Sequence, residues 1–167
     1  MRKQKLYISA IVCFIVLIMS SAASSEVLFT SGSWGVVSTK DEMTDKVYYY
    51  LTYINDEVQF SIVSLKGDSN VANEVWVFNK MSILKGRTVN MRVDDNPAES
   101  IYGEMPEMTT VAFQQQNSDI LNQMKVGSIL LVEVDSAYPP SVIDPITRVN
   151  LDGFIQAYYQ FRKFIEE

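Results

Sequence analysis

KVYYYLTYINDEVQFSIVSL, residues 46–65, decides what kind of fold this chain makes. Val47, Tyr49, Leu51 and Tyr53 recur at every second position, the period of a strand with one apolar face. Tyr, Val and Ile are the residue types that suit a pleated, half-buried surface. Asn55, Asp56 and Glu57 interrupt the pattern with a polar turn, and Val58, Phe60 and Ile62 resume it. Two period-two runs split by three turn residues predict a β-hairpin.

The same period extends to both sides. Residues 34–37 predict a short strand, and 74–79 a strand with Trp76 and Phe78 opposed to Val75 and Val77. Residues 88–93 predict another, with Val89, Met91 and Val93 inward and Thr88, Asn90 and Arg92 outward. Asp94, Asp95, Asn96 and Pro97 end it, because proline cannot donate to a ladder and aspartate favours turns. A shorter strand is expected over 108–113.

The period then changes. Ser118 is placed to cap a helix over 119–126, with Ile120, Leu121 and Met124 on one side and Gly127 as its stop. Residues 128–134 are almost continuously apolar and read as a central strand covered on both faces. Pro139 and Pro140 open a loop, and 146–151 returns as a strand. Asp152 is placed to cap a last helix, in which Phe154, Tyr158, Phe161 and Ile165 share one face. Arg162 and Lys163 stand where they offset the helix dipole. The expected class is α+β: a mostly antiparallel, sandwich-like sheet with two short helices packed against it, the second C-terminal.

The N-terminus reads differently. Arg2, Lys3 and Lys5 precede an uncharged apolar run over 6–19, and the small residues 20–25 follow. These are the three parts of a secretory signal peptide. Cleavage is expected after Ala23, with Ser25 as the next site. The competing reading is a retained anchor, since residues 6–23 are marginal for a core of about 30 Å. The expected mature chain is a single exported domain over 24–167, ordered from about 33 to 165. Losing three positive charges and no acid moves the net charge from −6 to −9. Such a domain repels nucleic acid and anionic membrane surfaces, so neither is expected as a partner.

The chain has no histidine, and its one cysteine, Cys13, falls in the apolar run. The mature chain therefore lacks the usual zinc ligands and the usual activated nucleophiles. No Gly-rich phosphate loop occurs, because the glycines stand singly. Ser82 and Lys85 have a Ser-x-x-Lys spacing without supporting motif. A calcium loop starting at Asp41 would place Met43, Lys46 and Thr52 where an oxygen ligand, Gly and Glu are required. The Asp41–Asp45 cluster is better read as a polar turn bonded to local backbone. Asp94 and Asp95 are adjacent and point apart, so they form no dyad. Asp135 and Asp144 flank the proline loop, which could bring them together, although two aspartates in polar loops are usually solvated. No cofactor, metal or catalytic residue is expected.

What remains is surface. Arg92 lies two residues before Asp94 on the polar side of a strand, which suggests either an exposed ion pair or an anchor for a protein partner. Tyr48 and Tyr50 occupy the second face of their strand. The last helix is the expected cover for them, with an exposed tyrosine patch for binding as the alternative.

Four elements recur in a familiar order: Trp34-Gly35-Val36-Val37 with Asp41-Glu42-Met43-Thr44-Asp45; Met91-Arg92-Val93-Asp94; Ile120-Leu121 before Gly127-Ser128-Ile129-Leu130; and Val149-Asn150-Leu151-Asp152-Gly153-Phe154. This order resembles small secreted proteins of the type VI secretion accessory family and their relatives, the invasion-associated locus B proteins, from Ser33 to Phe164. Relatives often carry a cysteine where this chain has Ser64 and Leu65, and a second near the C-terminus. The fold should survive their absence, and a disulfide role would not. The resemblance implies a periplasmic, non-enzymatic accessory that contacts another envelope or secretion-system protein, with Asp45, Arg92, Asp94, Tyr48 and Tyr50 as candidate contact residues. Two rivals stay open. A carboxylate-dependent cell-wall hydrolase requires a cleft holding two acids of raised pKa, and a small-ligand carrier requires an apolar cavity between sheet and helices.

Overall fold

The computed structural model describes residues 24–54, 58–68, 70, 74–80, 84–107, 110–114, 119–136 and 146–167. The expected leader, the 55–57 turn, Ser82, Ser118, the proline loop and Asp144 lie outside the described residues. The elements run β1 (Ser24–Ser31), β2 (Trp34–Lys40), β3 (Val47–Ile54), β4 (Val58–Leu65), β5 (Val75–Lys80), β6 (Leu84–Val93), β7 (Glu99–Tyr102), β8 (Glu104–Glu107) and β9 (Thr110–Gln114). Helix α1 (Ile120–Val126), β10 (Ile129–Ser136), β11 (Ile146–Asn150) and helix α2 (Phe154–Glu166) complete the chain.

The strands form two antiparallel sheets. One has seven strands in the order β1-β2-β3-β4-β5-β9-β8, and the other four in the order β11-β10-β6-β7. The hairpin expected from residues 46–65 is present, with Tyr49 opposite Ser64, Leu51 opposite Ile62 and Tyr53 opposite Phe60. Those residues face inward. Trp34, Phe60, Trp76 and Phe113 line up across the strands beside them, with ring centroids 6.2, 5.5 and 6.0 Å apart in sequence. Val89, Met91 and Val93 of β6 and Leu130, Val132 and Val134 of β10 join the same buried core. The α+β sandwich with a C-terminal second helix is therefore the architecture observed.

Helix α2 packs on β1, β2 and β3. Its expected face is the buried one: Phe154, Tyr158, Phe161 and Ile165 all lie in the core, with Ala157. Full burial of such side chains stabilises by about 1.5–3 kcal/mol each, far more than the propensity of any one helical residue. Phe154 meets the Trp34 ring edge-on at 4.8 Å.

Several expectations change. Strands β1, β7 and β8 were not legible: β1 carries a bulge between Val27 and Phe29 that breaks the alternation, and β7 and β8 are only four residues each. Asp152 does not cap α2. Gly153 holds that position at φ 83°, without a side-chain cap. A Cβ there would lie 2.2 Å from the Ser31 carbonyl oxygen, so close approach of the β1–β2 turn demands glycine. Strand β10 is central in the small sheet but covered on one face only, since Leu130, Val132 and Val134 are buried while Leu131 and Glu133 are half-exposed.

Candidate functional site

The Asp41–Asp45 segment is a turn built from its own side chains. The Asp41 carboxylate accepts the Met43 and Thr44 amides at 2.8 and 3.3 Å and the Thr44 hydroxyl at 2.8 Å. The Thr44 hydroxyl, followed by the Met43 amide, holds the Asp41 carboxyl below the usual range. Asp45 adopts φ 57° and pairs with Lys40 at 2.6 Å, both well exposed. Hydrogen bonding to Asp45 raises the Lys40 ammonium above its ordinary value. Among the described residues, no cluster of three metal-ligating side chains occurs.

Asp94 is not the ion-pair partner of Arg92. It leaves the strand at φ 50°, and its carboxylate accepts the Ser128 amide at 3.0 Å and the Ile129 amide at 2.9 Å. Its own amide donates to the Ile129 carbonyl at 2.9 Å. Asp94 thus ties the end of β6 to the start of β10, a structural task. The sequence could not show this, because the partners are backbone groups 34 and 35 residues away.

Arg92 stays exposed on the outer face of the four-stranded sheet. There it stands opposite Leu131, whose other neighbour is Arg148. Two guanidinium groups therefore flank one half-exposed leucine, on backbones about 10 Å apart, two strand spacings. Neither arginine forms an ion pair among the described residues. Two positions along β10, Glu133 accepts the Asn90 amide group at 3.0 Å, and Asn90 in turn accepts the Ser100 hydroxyl at 2.6 Å. Sequence reasoning found Arg92 and missed Arg148, which only strand register brings alongside.

Tyr48 and Tyr50 do not lie under α2. The helix occupies the opposite face, where Phe164 stacks on Tyr49 at 6.1 Å. Tyr48 and Tyr50 are half-buried on the outer face of the seven-stranded sheet. Burial, then the neighbouring Tyr48, pushes the Tyr50 hydroxyl pKa up. Asp45, Arg92, Asp94 and the tyrosine pair thus do not converge on one site. They divide between a turn, a strand tie and the outer faces of two sheets.

One buried polar group escaped the sequence reading. Glu74 is fully buried, and its carboxylate accepts from the Arg162 guanidinium at 2.8 Å. The Tyr158 hydroxyl also bonds it. Desolvation raises the Glu74 pKa despite these partners, and burial raises Tyr158 as well. Arg162 is therefore more than a dipole-compensating residue: it fastens α2 to the start of β5. Among the described residues, the second Glu74 oxygen, the Ser64 hydroxyl and the Trp76 indole N–H are buried without hydrogen-bond partners.

A cleft of about 320 Å³ opens where α1 meets β11 and α2. Lys125, Ser128, Asn150, Asp152 and Gln156 supply its polar lining. Asp152 is the single carboxylate among its lining residues, and Lys125 sits 5.0 Å above the Tyr158 ring. The buried acid, Glu74, is not part of this lining.

No family model matches the sequence, and no curated protein sequence matches it. Among solved structures, the chain is similar to the crystal structure of invasion associated protein B from Bartonella henselae. The TM-score is 0.56 at 18% identity, over 88% of this chain and 100% of that one. The fold likeness is to the invasion-associated protein named in one half of the motif resemblance, and it does not extend to the type VI secretion half. Among the described residues, no helix is long and apolar enough to cross a membrane.

Proposed function

We propose that this protein is exported to the bacterial envelope and works by contact with another envelope or secretion-system protein, not by turnover. The observation that carries this reading is the Arg92–Leu131–Arg148 row. Arginine beside an apolar residue is a common composition for the centre of a protein interface. Here it stands on an antiparallel sheet, a rigid support that needs little ordering on binding. The partner face it fits carries carboxylates around an apolar centre.

The fold likeness to an invasion-associated protein and the basic–apolar–small start of the chain both support the envelope assignment. The narrower role of type VI secretion accessory rests on motif order alone. The test is binding from an envelope extract to wild type and to the Arg92→Ala, Arg148→Ala double variant. A defined partner retained by wild type and lost by a folded double variant supports the reading. Equal retention by both removes these arginines from it.

A further inference from the structure

Cysteine and methionine sulfur are the side-chain atoms that peroxides oxidise, at rates that follow exposure. The one cysteine, Cys13, falls in the expected leader, so methionine carries this chemistry in the rest of the chain. Among the described residues, Met91 and Met124 are each 1% exposed and belong to the core. Met43 is 93% exposed. The fold thus withholds two thioethers from solvent and presents a third.

Met43 stands in the turn between β2 and β3, and that turn is closed by its neighbours. The Asp41 carboxylate accepts the Met43 amide, the Thr44 amide and the Thr44 hydroxyl. The Asp41 amide donates to the Lys46 carbonyl at 2.8 Å, and Asp45 pairs with Lys40. None of these bonds uses the thioether. An oxygen added to Met91 or Met124 would enter the core, where a sulfoxide disrupts packing. An oxygen added to Met43 meets water.

We infer that Met43 is an oxidation site, a surface thioether that hydroperoxides convert to the sulfoxide and methionine sulfoxide reductases convert back, with the fold intact throughout. A lone pair of Met43 Sδ attacks the terminal oxygen of the peroxide. The S–O bond forms as the O–O bond breaks. The proton of the attacked hydroxyl passes to the leaving oxygen, which departs as water or, from an organic hydroperoxide, as an alcohol. Sulfur loses two electrons and the peroxide gains them. The apolar tip between Glu42 and Thr44 becomes polar and chiral, so an apolar contact made by it is lost on oxidation and regained on reduction. This site lies on a different sheet from the arginine row, so either reading can fail without the other.

The test treats the purified, folded chain with dilute hydrogen peroxide at neutral pH. Peptide mapping by mass spectrometry follows the gain of about 16 Da at each methionine. Met43 is expected to react at least about tenfold faster than Met91 and Met124. In urea the three should react at similar rates, because the fold supplies the protection. At a dose that spares Met91 and Met124, treated wild type and treated Met43→Leu should share one Tm. Reductases of the two epimer specificities, added together, should restore the original mass of the Met43 peptide. Equal rates at the three methionines in the folded chain overturn the proposal. So does a rate difference that persists in urea, a treated wild type that melts below treated Met43→Leu, or a Met43 sulfoxide that the reductases leave in place.

Discussion

Trp34 and Asn150 are joined across 116 residues: the indole N–H donates to the Asn150 carbonyl at 2.9 Å. This bond locks the β1–β2 turn onto the loop between β11 and α2. Gly32 and Gly153 sit in the same joint, each with positive φ and each nearly touching the backbone of the other segment. The tryptophan-strand motif and the final Asn-Leu-Asp-Gly-Phe motif are therefore two halves of one contact. Trp34→Phe should cost about 0.5–1.5 kcal/mol by removing this part-buried hydrogen bond. Gly153→Ala should cost at least the about 1–3 kcal/mol of a strained backbone, with the clash added. Urea unfolding measures both. Wild-type midpoints for either would refute the joint.

The buried Glu74–Arg162 pair predicts an inverted pH response. Glu74 titrates higher in the folded state than in the unfolded chain, so the folded state holds more protons. Its contribution to stability is then full below its unfolded pKa, near 4.5, and is lost as pH rises through the raised folded value. Glu74→Gln keeps an acceptor for Arg162 without the buried charge. The difference in stability between variant and wild type should move in favour of Gln as pH rises through that window. Parallel melting curves from acid to neutral pH would contradict this. Arg162→Ala leaves a buried carboxylate unpaired and should cost about 3–5 kcal/mol.

Asp94 is predicted to matter for stability and not for partner contact. Asp94→Ala removes the charged acceptor of two amides, for a loss of about 1–3 kcal/mol. Calorimetry should show the lower Tm, while binding of any partner by the folded fraction stays unchanged. Loss of binding at full stability would return Asp94 to the contact surface.

The Asp41 turn supplies a further check. Asp41→Ala should lower Tm to the same extent with and without added calcium, because the carboxylate serves its own backbone. A calcium-dependent rise in wild-type Tm that Asp41→Ala abolishes would instead mark the turn as a cation site.

Much of the fold was legible because burial imposes a period. Val47 to Tyr53, Val89 to Val93 and Phe154 to Ile165 each show it, and each buries the face it predicts. The period does not show which of two faces a distant helix will take. The sequence expectation therefore puts Tyr48 and Tyr50 under α2, whereas Tyr49 on the other face is the one that meets it. Strand pairing was equally invisible: nothing near Arg92 in sequence points to Arg148, and nothing near Glu74 points to Arg162. The Asp94 tie was hidden for another reason, since a carboxylate bonded to backbone leaves no pattern in its partners' side chains. Short strands such as β7 and β8 depend on neighbours for their edges and carry too few residues to establish a period.

The most direct test of action by contact is photo-cross-linking in the envelope from position 131, with Leu131 replaced by a photoreactive amino acid. The account predicts a discrete adduct with a second polypeptide. That adduct should vanish when Arg92→Glu and Arg148→Glu are added, and should be absent when the probe is placed at Lys163 on α2. Equal adducts from positions 131 and 163, or one that survives reversal of both arginines, would contradict it.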